Sequence, residues 1–319
     1  MLRKIIVLCS LLGSVIMPAQ AQEYPSRPVR LIVGFAPGGG ADVFARILAE
    51  KLSTRLDTSI VVENKPGAAG TIGASFVAHA APDGYTLLMG TQGSIAVAPY
   101  TQKPQPFDPL TDFMPVSILM TSQLQLYVRD DFPAKTFPEF VELVRANPDK
   151  YAYATAGIAG PGHMFVELLS RKIGLKMVHV PYPGDGQAIN DVLGGTIPIW
   201  ATAVASAKPY LGPSRIRPLV TSGRERAFLI PDTATVEESG FPGISAYYYN
   251  ALLAPKGTPE AIVAKLNEAI VEIYKDPATV ARIKGLGQTP VTKTSQETAE
   301  FIKNDIDQWK DILKDFSQK

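Results

Sequence analysis

The stretch VRLIVGFAPGGGADVFARILAEKLSTRL, residues 29–56, changes its period in the middle. Val29 to Phe35 is a nearly unbroken apolar run, the pattern of a strand buried on both faces. From Ala41 to Leu56 the side chains of Phe44, Ile47, Leu48, Leu52 and Leu56 recur every three or four positions, as on one face of a helix. Between the two lies Pro37-Gly38-Gly39-Gly40-Ala41-Asp42. This places bare backbone at a helix N-terminus, where about four N–H groups lack partners and the helix dipole favours negative charge. With no Cβ on Gly38 to Gly40, a carboxylate or phosphate can approach those donors closely.

Working outward, the same alternation continues. A strand over Ile60 to Glu63, a helix over Thr71 to Ala80 and a strand over Thr86 to Gly90 complete one layered α/β unit. Val116 to Thr121 and Leu124 to Val128 read as two further strands. Thr136-Phe137-Pro138-Glu139 is a capping box with proline in the first turn. After it the spacing predicts strands at 151–154, 176–181, 196–201 and 217–222, with helices at 161–172 and 187–193. Beyond a strand at 246–254, three helices open at Thr258-Pro259, Asp276-Pro277 and Thr294-Ser295-Gln296-Glu297. They bring no new sheet, so they are expected to pack on the first unit. That makes a discontinuous first lobe of 23–122 plus 247–319, a second lobe of 123–246, and two chain crossings that form a hinge.

Composition narrows the functions. Thirty-one basic and 30 acidic residues are spread evenly, with no basic stripe, which argues against a nucleic-acid partner. Residues 1–21 read as an export signal: Arg3 and Lys4, an apolar run from Ile5 to Met17, then Ala19-Gln20-Ala21 before a mature start at Gln22. The run is short of the roughly 20 residues a membrane span needs, so the mature chain is expected to be soluble in the periplasm. The single cysteine, Cys9, lies inside that signal after Leu8, without the small residue that lipid attachment requires. The mature chain therefore has no disulfide and no thiolate metal site.

A dinucleotide site is the obvious rival for the glycine loop, with Glu63 placed where a ribose-binding acid would sit. The spacing fails, because G-x-G-x-x-G counted from Gly38 demands glycine where Val43 stands, and Asp42 would lie against the pyrophosphate. No G-x-S-x-G elbow and no mature cysteine supports an enzyme. Asp42 and Asp185 facing each other would suit acid/base work on a small organic acid. The simpler reading is that each caps a helix or accepts from a ligand. No cofactor and no metal is expected, since His79, His163 and His179 are far apart in sequence and lack a carboxylate at ligand spacing.

The segment Arg30 to Arg46, with LIVGFAPGGGADVFAR as its core, followed by Val61-Val62-Glu63-Asn64-Lys65-Pro66-Gly67-Ala68-Ala69-Gly70, resembles the periplasmic receptors of tripartite tricarboxylate transporters, the Bug family. The likeness continues through Asp83-Gly84-Tyr85-Thr86-Leu87-Leu88, Phe107-Asp108-Pro109, Asp112-Phe113-Met114-Pro115-Val116, Val180-Pro181-Tyr182, Arg224-Glu225-Arg226 with Pro231-Asp232, and Leu253-Ala254-Pro255-Lys256-Gly257-Thr258-Pro259. It covers the mature chain in order. It implies a two-lobed periplasmic-binding-protein fold, a Venus flytrap of type II kind with two crossover strands as hinge. It also implies a monomeric receptor that holds a small mono- or dicarboxylate and delivers it to membrane permease subunits; Tyr247, Tyr248 and Tyr249 add an aromatic carboxylate to the acids to expect.

The resemblance also implies contacts from both lobes. In the first they are Phe35, Gly38, Gly39, Gly40 and Asp42, with Thr91, Gly93 and Ser94. In the second they are Thr155, Ala156, Gly157, Gly160, Gly162 and His163, then Tyr182, Pro183, Gly184 and Asp185. The family often carries Ser-Gly-Gly or Ser-Pro-Gly in place of Thr155-Ala156-Gly157, and lysine or arginine in place of Pro183. Tyr247-Tyr248-Tyr249 replaces a region where the family usually has tryptophan. Tyr249 is the ring expected to face a ligand; packing at the lobe interface or hinge is the alternative.

Overall fold

The structure is a computed structural model that describes residues 24–316; the expected export signal lies outside the described residues. β1 (Val29–Val33), α1 (Gly40–Leu56), β2 (Ile60–Asn64), α2 (Thr71–Ala78) and β3 (Thr86–Thr91) follow the expected alternation, with β1 pairing parallel to both β2 and β3. α1 buries Phe44, Leu48, Leu52 and Leu56 against Val29, Leu31 and Val33 of β1 and their neighbours. Each such side chain contributes about 1.5–3 kcal/mol. A π-helical turn over Gly93–Val97 and the short α3 (Ala98–Thr101) then lead away from β3.

The two strands expected around residue 122 are one. β4 runs unbroken from Phe113 to Arg129, 17 residues. Ser122 and Gln123 interrupt the apolar run, but the backbone there stays paired with a later strand, as Ser122↔Tyr248 and Gln123↔Tyr247. Past that level β4 enters a second sheet. α4 (Phe137–Ala146), β5 (Ala152–Thr155), α5 (Pro161–Ile173), β6 (Val178–Pro181), α6 (Asp185–Leu193), β7 (Ile199–Ala203), α7 (Val204–Ala207) and β8 (Ile216–Thr221) complete that unit. β9 (Tyr247–Pro255) returns beside β4 and β3. α8 (Glu260–Ile273), α9 (Pro277–Gly285), β10 (Thr289–Pro290) and α10 (Ser295–Phe316) finish the described chain. The strand order is β2-β1-β3-β9-β4-β7-β5-β6, with β8 and β10 also on β4. Two lobes thus share one long strand.

The tail departs from expectation in one helix. α8 and α9 bury Val263, Leu266, Ile270 and Ile283 in the core of the first lobe. α10 starts there too, with Ile302 and Ile306 beside Ile118 and Tyr249. Its last turns instead put Trp309, Ile312 and Leu313 among Phe165, Val166 and Leu169 of the second lobe. A 22-residue helix is about 33 Å long, enough to cross from one core to the other. Among the described residues no helix is long and apolar enough to cross a membrane.

Candidate functional site

The pairing register decides what faces what. Thr91, the last residue of β3, and Met120 of β4 both pair with Asn250, so they lie at one level. β4 continues beyond that level into the second sheet, where Leu124 pairs with Ala203 and Val128 with Ile199 of antiparallel β7. The C-terminal end of β7 therefore points back at the first lobe, and parallel β5 and β6 end on the same side. The C-terminal ends of β1 and β3 point the other way, toward the second lobe. The glycine loops and helix starts of both units are set along these two facing edges, where open α/β sheets bind ligands.

In the first lobe, Gly39 caps α1 with φ −72° and ψ 163° and no side-chain hydrogen bond. Gly38, Gly39 and Gly40 are exposed, and a Cβ on Gly38 or Gly40 would meet nothing within 4 Å. Behind the loop, Gly34 packs so closely on Gly70 that a Cβ would lie 2.5 Å from its carbonyl oxygen. Asp42, 2% exposed, holds the loop from inside. Its carboxylate accepts from Gly38 N–H (2.9 Å), Arg46 Nε (2.9 Å), Arg46 Nη2 (3.0 Å) and Asn64 Nδ2 (2.8 Å). The Arg46 bond above all, helped by Gly38 and Asn64 and opposed by burial, brings its pKa down to about 2. Next along the edge, Thr91 and Ser94 close on each other: Ser94 Oγ accepts from Thr91 N–H at 3.0 Å, and Thr91 Oγ1 from Ser94 N–H at 3.2 Å.

The second lobe repeats the device with other chemistry. Gly160 caps α5 and Gly184 caps α6, both extended and both without a side-chain bond. The loop before α5 is pinned by a stack of rings. His163 and His179 lie face to face, centroids 3.6 Å apart, with Tyr153 against His179 at 5.0 Å. His163 Nδ1 accepts the N–H of Ala159 at 3.0 Å. Thr155 Oγ1 donates to the carbonyl of Gly157 (3.1 Å), so His179 Nε2, 2.7 Å away, is the donor to that hydroxyl. Burial, then the neighbouring His163, lower the pKa of His179 to about 4, with Glu167 opposing; its ring is neutral near pH 7. Asp185 accepts from Thr202 Oγ1 (2.9 Å) and Ser206 Oγ (2.7 Å), tying the start of α6 to the end of β7 and to α7.

Residues 44–317 match the tripartite tricarboxylate transporter family receptor. The chain belongs to this receptor family. It is 32% identical to protein BugT of Bordetella pertussis over 303 residues, 95% of this chain and 93% of BugT. MatC of Rhodopseudomonas palustris, solved with bound malate, is 32% identical with a TM-score of 0.72, covering 91% of this chain and all of that one. Another R. palustris protein, solved with adipate, is 28% identical with a TM-score of 0.75, covering 93% and 99%. The two-lobed fold is that of the periplasmic binding proteins, and the chain is a solute-binding receptor, not an enzyme.

As a receptor, the molecule assigns several of the expected contact residues to work of their own. Asp42 is saturated by internal donors and positions the loop instead of offering a free carboxylate. Asp185 is likewise committed, so the acid/base pairing of these two aspartates has no support. His163 is buried at 4%, and its Nδ1 is spent on Ala159. Tyr182 gives its hydroxyl to Asp191 at 2.6 Å, and burial together with that carboxylate pushes it up to about 12. Gly162 is a packing glycine, since a Cβ would lie against the carbonyl of Ala201. Tyr249 corrects the expectation most clearly: it is 0% exposed, edge-on to Phe301 of α10 at 5.0 Å, and presents no surface to a ligand. Among residues not anticipated, Arg46 was legible as the i+4 partner of Asp42. Glu167 is likewise the i+4 partner of His163, at 3.6 Å, whereas Asn64, Thr202 and Ser206 carry no such local signal.

Proposed function

We propose that the receptor captures a small mono- or dicarboxylate between its lobes and delivers it to the membrane permease of a tripartite tricarboxylate-type transporter. The observation that carries this reading is the set of three helix starts capped by an extended glycine, Gly39, Gly160 and Gly184, on two facing strand edges. Each leaves first-turn N–H groups to a guest, and helix dipoles there favour an anion. The donors are main-chain groups around Gly38, Gly39 and Gly40 in one lobe and around Ala156, Gly157, Gly160 and Gly184 in the other. Phe35 and Gly93 line the first edge. Asp42, Thr91, Ser94, Thr155, His163, Tyr182 and Asp185 hold these loops in place. The relatives solved with malate and adipate support a carboxylate of four to six carbons as the first class to try.

The lobe boundaries we propose are 23–122 with 247–319, and 123–246, joined by β4 and β9, with the end of α10 reaching over to the second. Closure about these two strands expels water and brings both sets of donors onto one ligand, so that contacts made only in the closed form shift the population toward it. The export signal read at residues 1–21 and the family support action in the periplasm, and the reading takes the receptor to work as a monomer. The test is a panel of carboxylates added to the mature chain, read by thermal shift and small-angle scattering. An authentic ligand at 100 times its Kd stabilises by about 2.7 kcal/mol and reduces the radius of gyration, and it is recovered chemically unchanged. A panel in which no acid produces either effect sinks the proposal.

A further inference from the structure

Ile158 is 68% exposed, the highest value among the described large apolar side chains. It stands between Gly157 at φ 101° and Ala159 at φ 55°. Both are left-handed, a conformation that alanine adopts only when its surroundings enforce it. They do so here: Thr155 donates to the Gly157 carbonyl, and the Ala159 N–H is held by the buried ring of His163. One isoleucine on a surface is ordinary. An isoleucine held out by a pinned turn, on the edge that faces the other lobe and two residues before the uncapped start of α5, is a placed apolar group.

Main-chain donors recognise an acid group but make no distinction between the carbon chains attached to it. The side chain of Ile158 has the opposite property, with no polar atom and a surface that gains only by leaving water. We infer that Ile158 reads the carbon chain of the ligand, favouring acids with an apolar stretch of several methylenes over those whose acid groups are only one or two carbons apart. The inference rests on the carboxylate reading of the cleft. On it, the acid is gripped at the glycine-capped helix starts while Ile158 covers the carbon backbone as the lobes close. The rigid turn keeps that contact from being lost to loop motion.

The experiment measures dissociation constants for malonate, succinate, adipate and suberate with the mature wild type, Ile158→Ala and Ile158→Leu. Because Ile158 is exposed, both variants are expected to melt with the wild type. The three carbons removed in Ile158→Ala weaken adipate and suberate by about tenfold or more while malonate stays within about twofold, and Ile158→Leu restores most of the loss. A loss equal for all four acids, or no loss for any, overturns the inference while leaving the carboxylate reading intact. A wild type that binds none of the acids overturns the carboxylate reading, and the inference with it.

Discussion

α4, α9 and α10 begin with a side chain that takes one of the helix's own N–H groups, whereas α1, α5 and α6 begin with an extended glycine that has no side chain to take one. Thr136 accepts from Glu139 N–H at 3.3 Å, Asp276 from Ala278 N–H at 3.0 Å, and Thr294 from Glu297 N–H at 3.2 Å. Gly39 and Gly160 leave the equivalent donors open, and at Gly184 the Gln187 N–H turns back to the Gly184 carbonyl at 3.2 Å, which leaves those of Asp185 and Gly186. An uncapped start is not by itself a signature, for α8 also has one, at Pro259. What separates the second group is an extended cap on the edges where the parallel strands of the two lobes end toward each other; α2 also starts on such an edge, but its Gly70 is left-handed and buried against Gly34. The first group uses its donors for stability; on the proposed carboxylate reading, the second keeps its own for a guest.

The comparison breaks most visibly at Gly39. Its dihedrals are extended and a Cβ there would only touch the Ala36 carbonyl, at 3.5 Å, so Gly39→Val is expected to fold with an unchanged melting temperature. The added branches stand over the first-turn donors and lower carboxylate affinity on the order of a hundredfold by calorimetry, the worth of about two hydrogen bonds to a charged group. Unchanged affinity would reduce the loop to a turn. The mirror-image change is Thr294→Ala. It removes a cap whose Glu297 partner reaches back to the Thr294 N–H at 2.9 Å. It is expected to cost about 1 kcal/mol of stability in urea titrations and leave affinity alone. A change in affinity would mean that the two kinds of helix start do not divide their work as described.

How much of this was legible in the sequence follows the range of the interactions. The strand, glycine loop and helix of residues 29–56 are set by local period and backbone chemistry, and they fold as read. The capping box at Thr294 is equally local and appears as expected. Arg46 on Asp42 needs only helical spacing. Asn64 reaches the same carboxylate because β2 pairs with β1 in a register that sets Val33 opposite Asn64. His179 joins His163 because Tyr153 lies opposite His179 in the pairing of β5 with β6. No pattern within either segment announces such neighbours. The same holds for the single strand at residue 122, kept whole by a partner more than a hundred residues away in sequence, and for Tyr249, whose face is decided by where α10 passes. The placement of the donors was readable; the side chains that hold them were mostly supplied by the tertiary fold.

The smallest expected effect divides the two kinds of helix start most finely. In Gly39→Ser the new hydroxyl can accept from the N–H of Ala41 or Asp42, converting α1 into a helix of the self-capped kind. Serine exceeds glycine as an N-cap by only a few tenths of a kcal/mol, so the unliganded receptor gains about that much stability. A carboxylate must then displace the hydroxyl before it can use the same donors, and affinity falls by about twofold, the same free energy appearing with opposite sign. The two numbers are coupled: a gain in stability without loss of affinity would mean that ligand and hydroxyl use different N–H groups. Equal and opposite changes, measured by calorimetry and by denaturant unfolding of the same preparation, would identify the first turn of α1 as donors shared between helix and guest.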